Sequence, residues 1–438
     1  MKAVLRLLLV ATILQLVFSA VFRSLMTKRD NLQAKLLREK RLHEFRVANR
    51  VFLAKFAKGG VQRAAVAKTP FYDYGNMEYN LQVGVGSPPQ LFEVIPDMGT
   101  GQAWIVDSSC DPNNSYYDCP IFCRESPVMC TQLCEDFCCP SNITTPAPSA
   151  ARRLFDHGDP CANKRQFDQT ASATYEATGA PFNGSNALDD VSGVLGRDSF
   201  AFGDLTIPGV TFGQADRLSV AFTNAPWAGV VGLGFGRSGF NGQPSVIQQA
   251  IDAGLLDSPL FTIWLESKSG LPLDQPAGAL TLGAIDVDHC SAEVNNVPLT
   301  SNSIYLINVD AFGTNGAKIS GTYKTLVTIG AAQNIVPLAA MRDVTTATNA
   351  EYDWDYGFYE VDCSIQFTWS VWVNDDDELK VDQSTLLVNT PDGRCFLNFV
   401  YFEGGLGEVD LVLGTPFLRQ YCSVYDPTNK AVGFAKTL

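Results

Sequence analysis

The chain has 438 residues, 46% of them apolar and 18% charged, with a formal net charge of −14 at pH 7. Such a length accommodates about two or three domains, and so large an apolar share with so little charge excludes a disordered chain. The acidic balance argues against a nucleic-acid partner.

The first twenty residues, MKAVLRLLLVATILQLVFSA, have a basic start, an apolar middle and a small-residue exit. That layout predicts a secretory signal peptide over residues 1–20 rather than a membrane span, because the apolar run is short and Arg6 interrupts it. No later stretch is long and apolar enough to cross a bilayer. Residues 21–68 then carry 13 Lys/Arg against 3 Asp/Glu, leaving 17 basic and 43 acidic residues in 69–438. Opposite charge draws such a leader to the body, and acid loosens it by protonating carboxylates. Residues 21–70 are therefore expected to form a removable basic propeptide.

Past residue 70, runs such as LFEVI, FTIWLE and GALTLG cluster or alternate apolar residues between Gly, Pro and Asn, which predicts a mostly β chain. The remainder echoes itself. Each half has a strand entering a Gly-containing turn, VIPDMGTGQAW (94–104) and TLVTIGAAQNIVP (325–337). Each later reaches an apolar pair followed by Gly, in AGVVGLGFG (228–236) and VDLVLGTPF (409–417). The echo predicts duplicated lobes, 71–255 and 256–438, facing each other over a cleft.

Twelve cysteines behind a secretory leader point to disulfides before metal. Eight of them fall from Cys110 to Cys161, in an insertion whose pairing the spacing leaves open. Cys130, Cys134 and Cys138 recur every fourth residue, but only His157 lies nearby and paired Cys-x2-Cys knuckles are missing. No metal or other cofactor is expected.

NMEYNLQVGVGSPPQLFEVIPDMGTGQAWIV (76–106), APWAGVVGLGFG, GALTLGAIDVDHC, VPLTSNSIYLINVD and DLVLGTPFLRQYCSVYDPTNKAVGFA follow one another to the C-terminus. In that order, from about residue 71 onward and interrupted by the Cys-rich insertion, they resemble the pepsin-like aspartic proteases (peptidase family A1). The resemblance implies a mostly β, bilobal fold with the substrate groove between the lobes, made as a zymogen. It also implies acid endopeptidase chemistry. Each lobe of that family supplies an Asp from an Asp-Thr-Gly turn, and the two carboxylates share a proton. One activates a water while the other, protonated, polarises the peptide carbonyl.

Aligned with that family, Asp97 takes the first position, followed by Met98, Gly99 and Thr100. Thr328 stands where the second Asp belongs, followed by Ile329, Gly330 and Ala331, and no Asp or Glu occurs between Asp310 and Asp343. The family's motif threonines lock the two turns by reciprocal hydrogen bonds; Met98 and Ile329 replace them and can form none. In the flap near 180–195, Asn186 falls at the usual tyrosine, whose family partner Trp104 is retained. Losing one member of a cooperative catalytic set costs on the order of 10⁴–10⁶ in rate. Hydrolysis is therefore expected to be lost.

The resemblance also implies a bridge between Cys363 and Cys395, the family's C-terminal-lobe disulfide. Cys290 with Cys422 and Cys110 with Cys161 are further expected pairs, the latter closing the insertion at its base. Sequons at Asn113, Asn142 and Asn183 lie in or near the insertion and flap and predict surface glycans. GFGRSG (234–239) satisfies a dinucleotide-binding glycine pattern but lacks a βαβ context. NDDDE (374–378) reads as a solvated hairpin tip rather than a calcium site.

Three readings remain. A noncatalytic protein would bind an extended peptide or a protein partner, as a monomer, secreted or delivered to a lysosome. An active acid endopeptidase would need a substitute acid. A structural or storage glycoprotein would do neither.

Overall fold

The computed structural model describes residues 22–27 as backbone alone, then 79–111 and 159–438 apart from 163, 186–189, 204, 220–221, 224, 226, 267–275, 355, 391 and 402–408. The expected signal peptide, most of the leader and insertion, Asn113, Asn142 and Asn186 lie outside the described residues.

The chain is mostly β and bilobal. A 13-stranded sheet runs from Cys290–Pro298 at one edge to Glu176–Ser185 at the other, with strands of the first half on one side and of the second half on the other. The strand Phe22–Thr27 lies where the halves meet. It pairs antiparallel with Pro276–Leu282 from the second half, Phe22 opposite Leu282, and with Asn80–Val85 from the first, Met26 opposite Leu81. Part of the segment read as a leader is thus a central strand.

The strands follow from composition. Asn80–Val85 (NLQVGV) buries every residue except Gln82, as a strand covered on both faces must. Ser87-Pro88 is a cis peptide in the tight turn that follows, before Gln90–Asp97. Asp377–Asp382 (DELKVD) instead alternates, with Leu379 and Val381 inward and acids and Lys380 outward, because one face meets water. It closes a hairpin whose tip places Asn374 and Asp375 at positive φ, a conformation that Asn and Asp tolerate.

A seven-stranded sheet and a four-stranded sheet, both from the second half, complete that lobe. The echo between halves is a repeat of topology. Gln90–Asp97 pairs parallel with Gly229–Gly232, which pairs antiparallel with Ala103–Val106. Likewise Ile319–Val327 pairs parallel with Leu411–Leu413, which meets Asn334–Val336 antiparallel. One apolar core runs through both halves and contains Met98, Phe261, Tyr305, Ile329 and Phe434.

Candidate active site

The first turn begins where the strand Gln90–Asp97 ends. Asp97 lies opposite Gly232, and its carbonyl accepts the Leu233 amide at 2.7 Å. The chain then reverses, so the Asp97 side chain reaches forward and accepts the Gly99 amide on Oδ1 at 2.8 Å. Met98, fully buried, fills the space beneath the turn. Asp97 itself is 8% exposed. Burial pushes its carboxyl up to about 7, and the Gly99 N–H only partly opposes this. Among the described residues no second carboxylate acts on it.

The second turn repeats the first with one change of chemistry. The Thr328 amide donates to the Leu413 carbonyl at 3.1 Å, and Oγ1 accepts the Gly330 amide at 2.9 Å. The hydroxyl thus occupies the role of the Asp97 carboxylate oxygen. Thr328 is 5% exposed, and Ile329 and Ala331 are buried. Beside each turn a glycine allows close backbone approach. A Cβ on Gly234 would lie 2.7 Å from the Thr100 carbonyl oxygen, and one on Gly414 would lie 2.4 Å from that of Ala331.

A hydrogen-bonded path joins the turns across the lobes. Leu233, whose amide meets Asp97, offers its carbonyl to the Tyr305 hydroxyl at 3.1 Å. The Tyr305 carbonyl in turn accepts the Val327 amide at 3.1 Å, one residue before Thr328. In the second turn the Asn334 side-chain oxygen also accepts the Gly414 amide at 3.0 Å. Sequence reasoning passed over both Tyr305 and Asn334. The only available signal was their presence in otherwise apolar motif segments.

A family model described as eukaryotic aspartyl protease matches residues 78–437. The chain belongs to that family. As a eukaryotic aspartyl protease by descent, it is 29% identical over 370 residues to Aspartic protease 2 of Necator americanus, covering 83% of this chain and 84% of that protein. It is 26% identical over 421 residues to Aspartic protease 10 of Caenorhabditis elegans, 94% of each chain. With Pepsin A of Rhinolophus ferrumequinum it shares 24% over 422 residues, 95% of each.

Within this eukaryotic aspartyl protease fold, Asp97 ends the strand Gln90–Asp97 and Thr328 directly follows the equivalent strand Ile319–Val327. Thr100 Oγ1 accepts the Gln102 amide at 3.1 Å instead of bonding to Asp97. Met98 and Ile329, at the positions of the family's hydrogen-bonding threonines, both belong to the continuous apolar core. Trp104 is buried edge-on against Phe222 and Trp227, with ring centroids 5.7 and 6.1 Å away. Asn183 is exposed on the strand Glu176–Ser185 rather than in a loop.

Among the described residues the cysteines are bridged as Cys110–Cys161, Cys290–Cys422 and Cys363–Cys395. Among the described residues no cluster of three or more His, Cys, Asp or Glu side chains could hold a metal ion. Among them, too, no helix is long and apolar enough to cross a membrane.

Proposed function

We propose that this chain is a secreted member of its family that has lost peptide-bond hydrolysis and keeps the groove as a binding site for an extended peptide or a protein. The observation that carries the reading is the Thr328 hydroxyl bonded to the Gly330 amide in the place a second carboxylate would need. Amide hydrolysis requires an ionised base and a protonated acid at the same moment. Asp97 titrates near 7. In acid it is therefore neutral and cannot take a proton from water. Above neutrality it is ionised but has no acid beside it, since a threonine hydroxyl does not ionise in this range. No pH supplies both roles.

What remains suits binding. A buried neutral carboxyl donates a hydrogen bond to a peptide carbonyl. The leader-like N-terminus, the disulfides and the exposed Asn183 sequon support a secreted glycoprotein, and the basic excess over residues 21–68 supports a removable propeptide that contributes Phe22–Thr27 between the two halves.

The test is digestion of acid-denatured globin between pH 3 and 5 by the processed protein, beside Thr328→Asp. The parent is expected to leave globin intact with or without a statine-type inhibitor. Statine-sensitive digestion by the parent would overturn the reading. Thr328→Asp is expected to gain inhibitor-sensitive cleavage. A silent variant would assign the remaining deficit to Met98 and Ile329.

A further inference from the structure

Residues 351–362, EYDWDYGFYEVD, contain five acids, five aromatics and no basic residue. They form a hairpin with Glu351 opposite Glu360 and Tyr352 opposite Tyr359. Its two faces differ. On one, Arg394 from outside the hairpin is enclosed: its Nε donates to Glu360 at 2.8 Å and its Nη2 donates to both Asp353 and Glu360. The guanidinium lies over the rings of Tyr356, at 4.6 Å, and Phe396, at 5.1 Å. Carboxylates plus ring faces thus hold an arginine here.

On the other face the aromatic half of that arrangement recurs. Tyr352 packs edge-on between Trp354 and Tyr359, with centroids 4.9 and 5.1 Å away. Trp354 is 81% exposed. The indole stands in water against the Tyr352 ring, on a hairpin whose carboxylates Arg394 holds from the other face, and tryptophan and tyrosine concentrate binding energy at interfaces. One arginine against five acids leaves the hairpin strongly negative, so the field around Trp354 attracts cations and repels acidic partners.

We propose that the Tyr352–Trp354–Tyr359 face is a docking site for an arginine- or lysine-rich segment of a partner protein, distinct from the groove at Asp97. The guanidinium or ammonium stacks on Trp354 and is steered there by the hairpin's carboxylates. Tyr352 fixes the indole from behind. Sugar stacking would use the same rings but gains nothing from so large an excess of negative charge.

The experiment is ¹⁹F NMR of the full chain labelled with 5-fluorotryptophan, which gives one resonance for each of six tryptophans. The Trp354 signal is identified by its loss in Trp354→Phe. Titration with a short Arg-Gly repeat peptide is expected to shift this resonance ahead of the other five, with an effect that fades as salt is raised. A Gly-Ser peptide and a neutral oligosaccharide should leave it in place. Binding measured by calorimetry should weaken about fivefold in Trp354→Ala and much less in Trp354→Phe. Equal affinity in Trp354→Ala, showing diffuse attraction to an acidic surface, would overturn the proposal. So would a shift by the oligosaccharide alone.

Discussion

The Tyr305 hydroxyl donates to the Leu233 carbonyl at 3.1 Å, and through this bond the turn carrying Asp97 is tied to the strand that leads into Thr328. Tyr305 is completely buried, its ring 5.1 Å from Phe235 and 4.7 Å from Tyr425, so the hydroxyl cannot turn to water. Tyr305→Phe keeps the ring packing and removes the donor. We expect a loss of about 1–2 kcal/mol in urea denaturation, since a buried carbonyl is left without this partner. A variant as stable as the parent would show that the tie carries no load.

The turns themselves were legible in the sequence, because each is a local string whose glycines and apolar pairs announce a strand end. Asp97 and Thr328 could be aligned from VIPDMG and LVTIGA alone. The tie was not legible. Tyr305 and Leu233 are 72 residues apart, and Asn334 and Gly414 are 80 apart, so no local pattern links them. Phe22–Thr27 escaped for a similar reason. Its six residues, FRSLMT, carry Arg23 and lack strict alternation, and the strand is specified by two neighbours that arrive much later in the chain. The Arg394 clamp likewise draws its carboxylates from 34 and 41 residues away.

Replacing Arg394 tests that clamp. Its guanidinium is the chief reason Glu360 is held below the usual carboxylate range. Without it Glu360 faces Glu351 directly across the strand pair, a like-charge pairing that costs stability. Arg394→Met should lose about 1 kcal/mol at neutral pH, a modest figure because these side chains are partly solvated. A depressed carboxylate stabilises the fold above its unfolded value and ceases to do so as acid protonates it. The deficit should therefore shrink as pH falls below about 4. A deficit constant from pH 3 to 7 would rule out the charge explanation.

The disulfides differ in the loops they close. Cys290–Cys422 spans 132 residues and Cys363–Cys395 spans 32. Chain entropy favours the longer closure by about 1 kcal/mol. Burial adds to this, for Cys290 and Cys422 pack with Ala435 in a small apolar cluster. Cys290→Ala with Cys422→Ala should lower the urea midpoint more than Cys363→Ala with Cys395→Ala. The reverse order would mean that local strain or denatured-state structure dominates.

Asp97 gives the most direct readout of the site, because its titration reports whether it stands alone. Its folded value, near 7, lies above the ordinary 3.8, so the native state holds a proton that the unfolded chain has already released between those limits. Stability from this group is complete below about 4 and declines as pH rises towards 7, the opposite of the usual salt-bridged aspartate. The rise from 3.8 to about 7 corresponds to an upper bound of about 4 kcal/mol. Asp97→Asn keeps the oxygen that accepts the Gly99 amide and abolishes the titration. The variant and parent should match in denaturant midpoint near pH 4, and the variant should become the more stable by on the order of 2–4 kcal/mol at pH 7.5. Parallel profiles would mean that Asp97 keeps its ordinary carboxylate value in the fold, and the case for a buried carboxyl that is neutral in acid would fall with it.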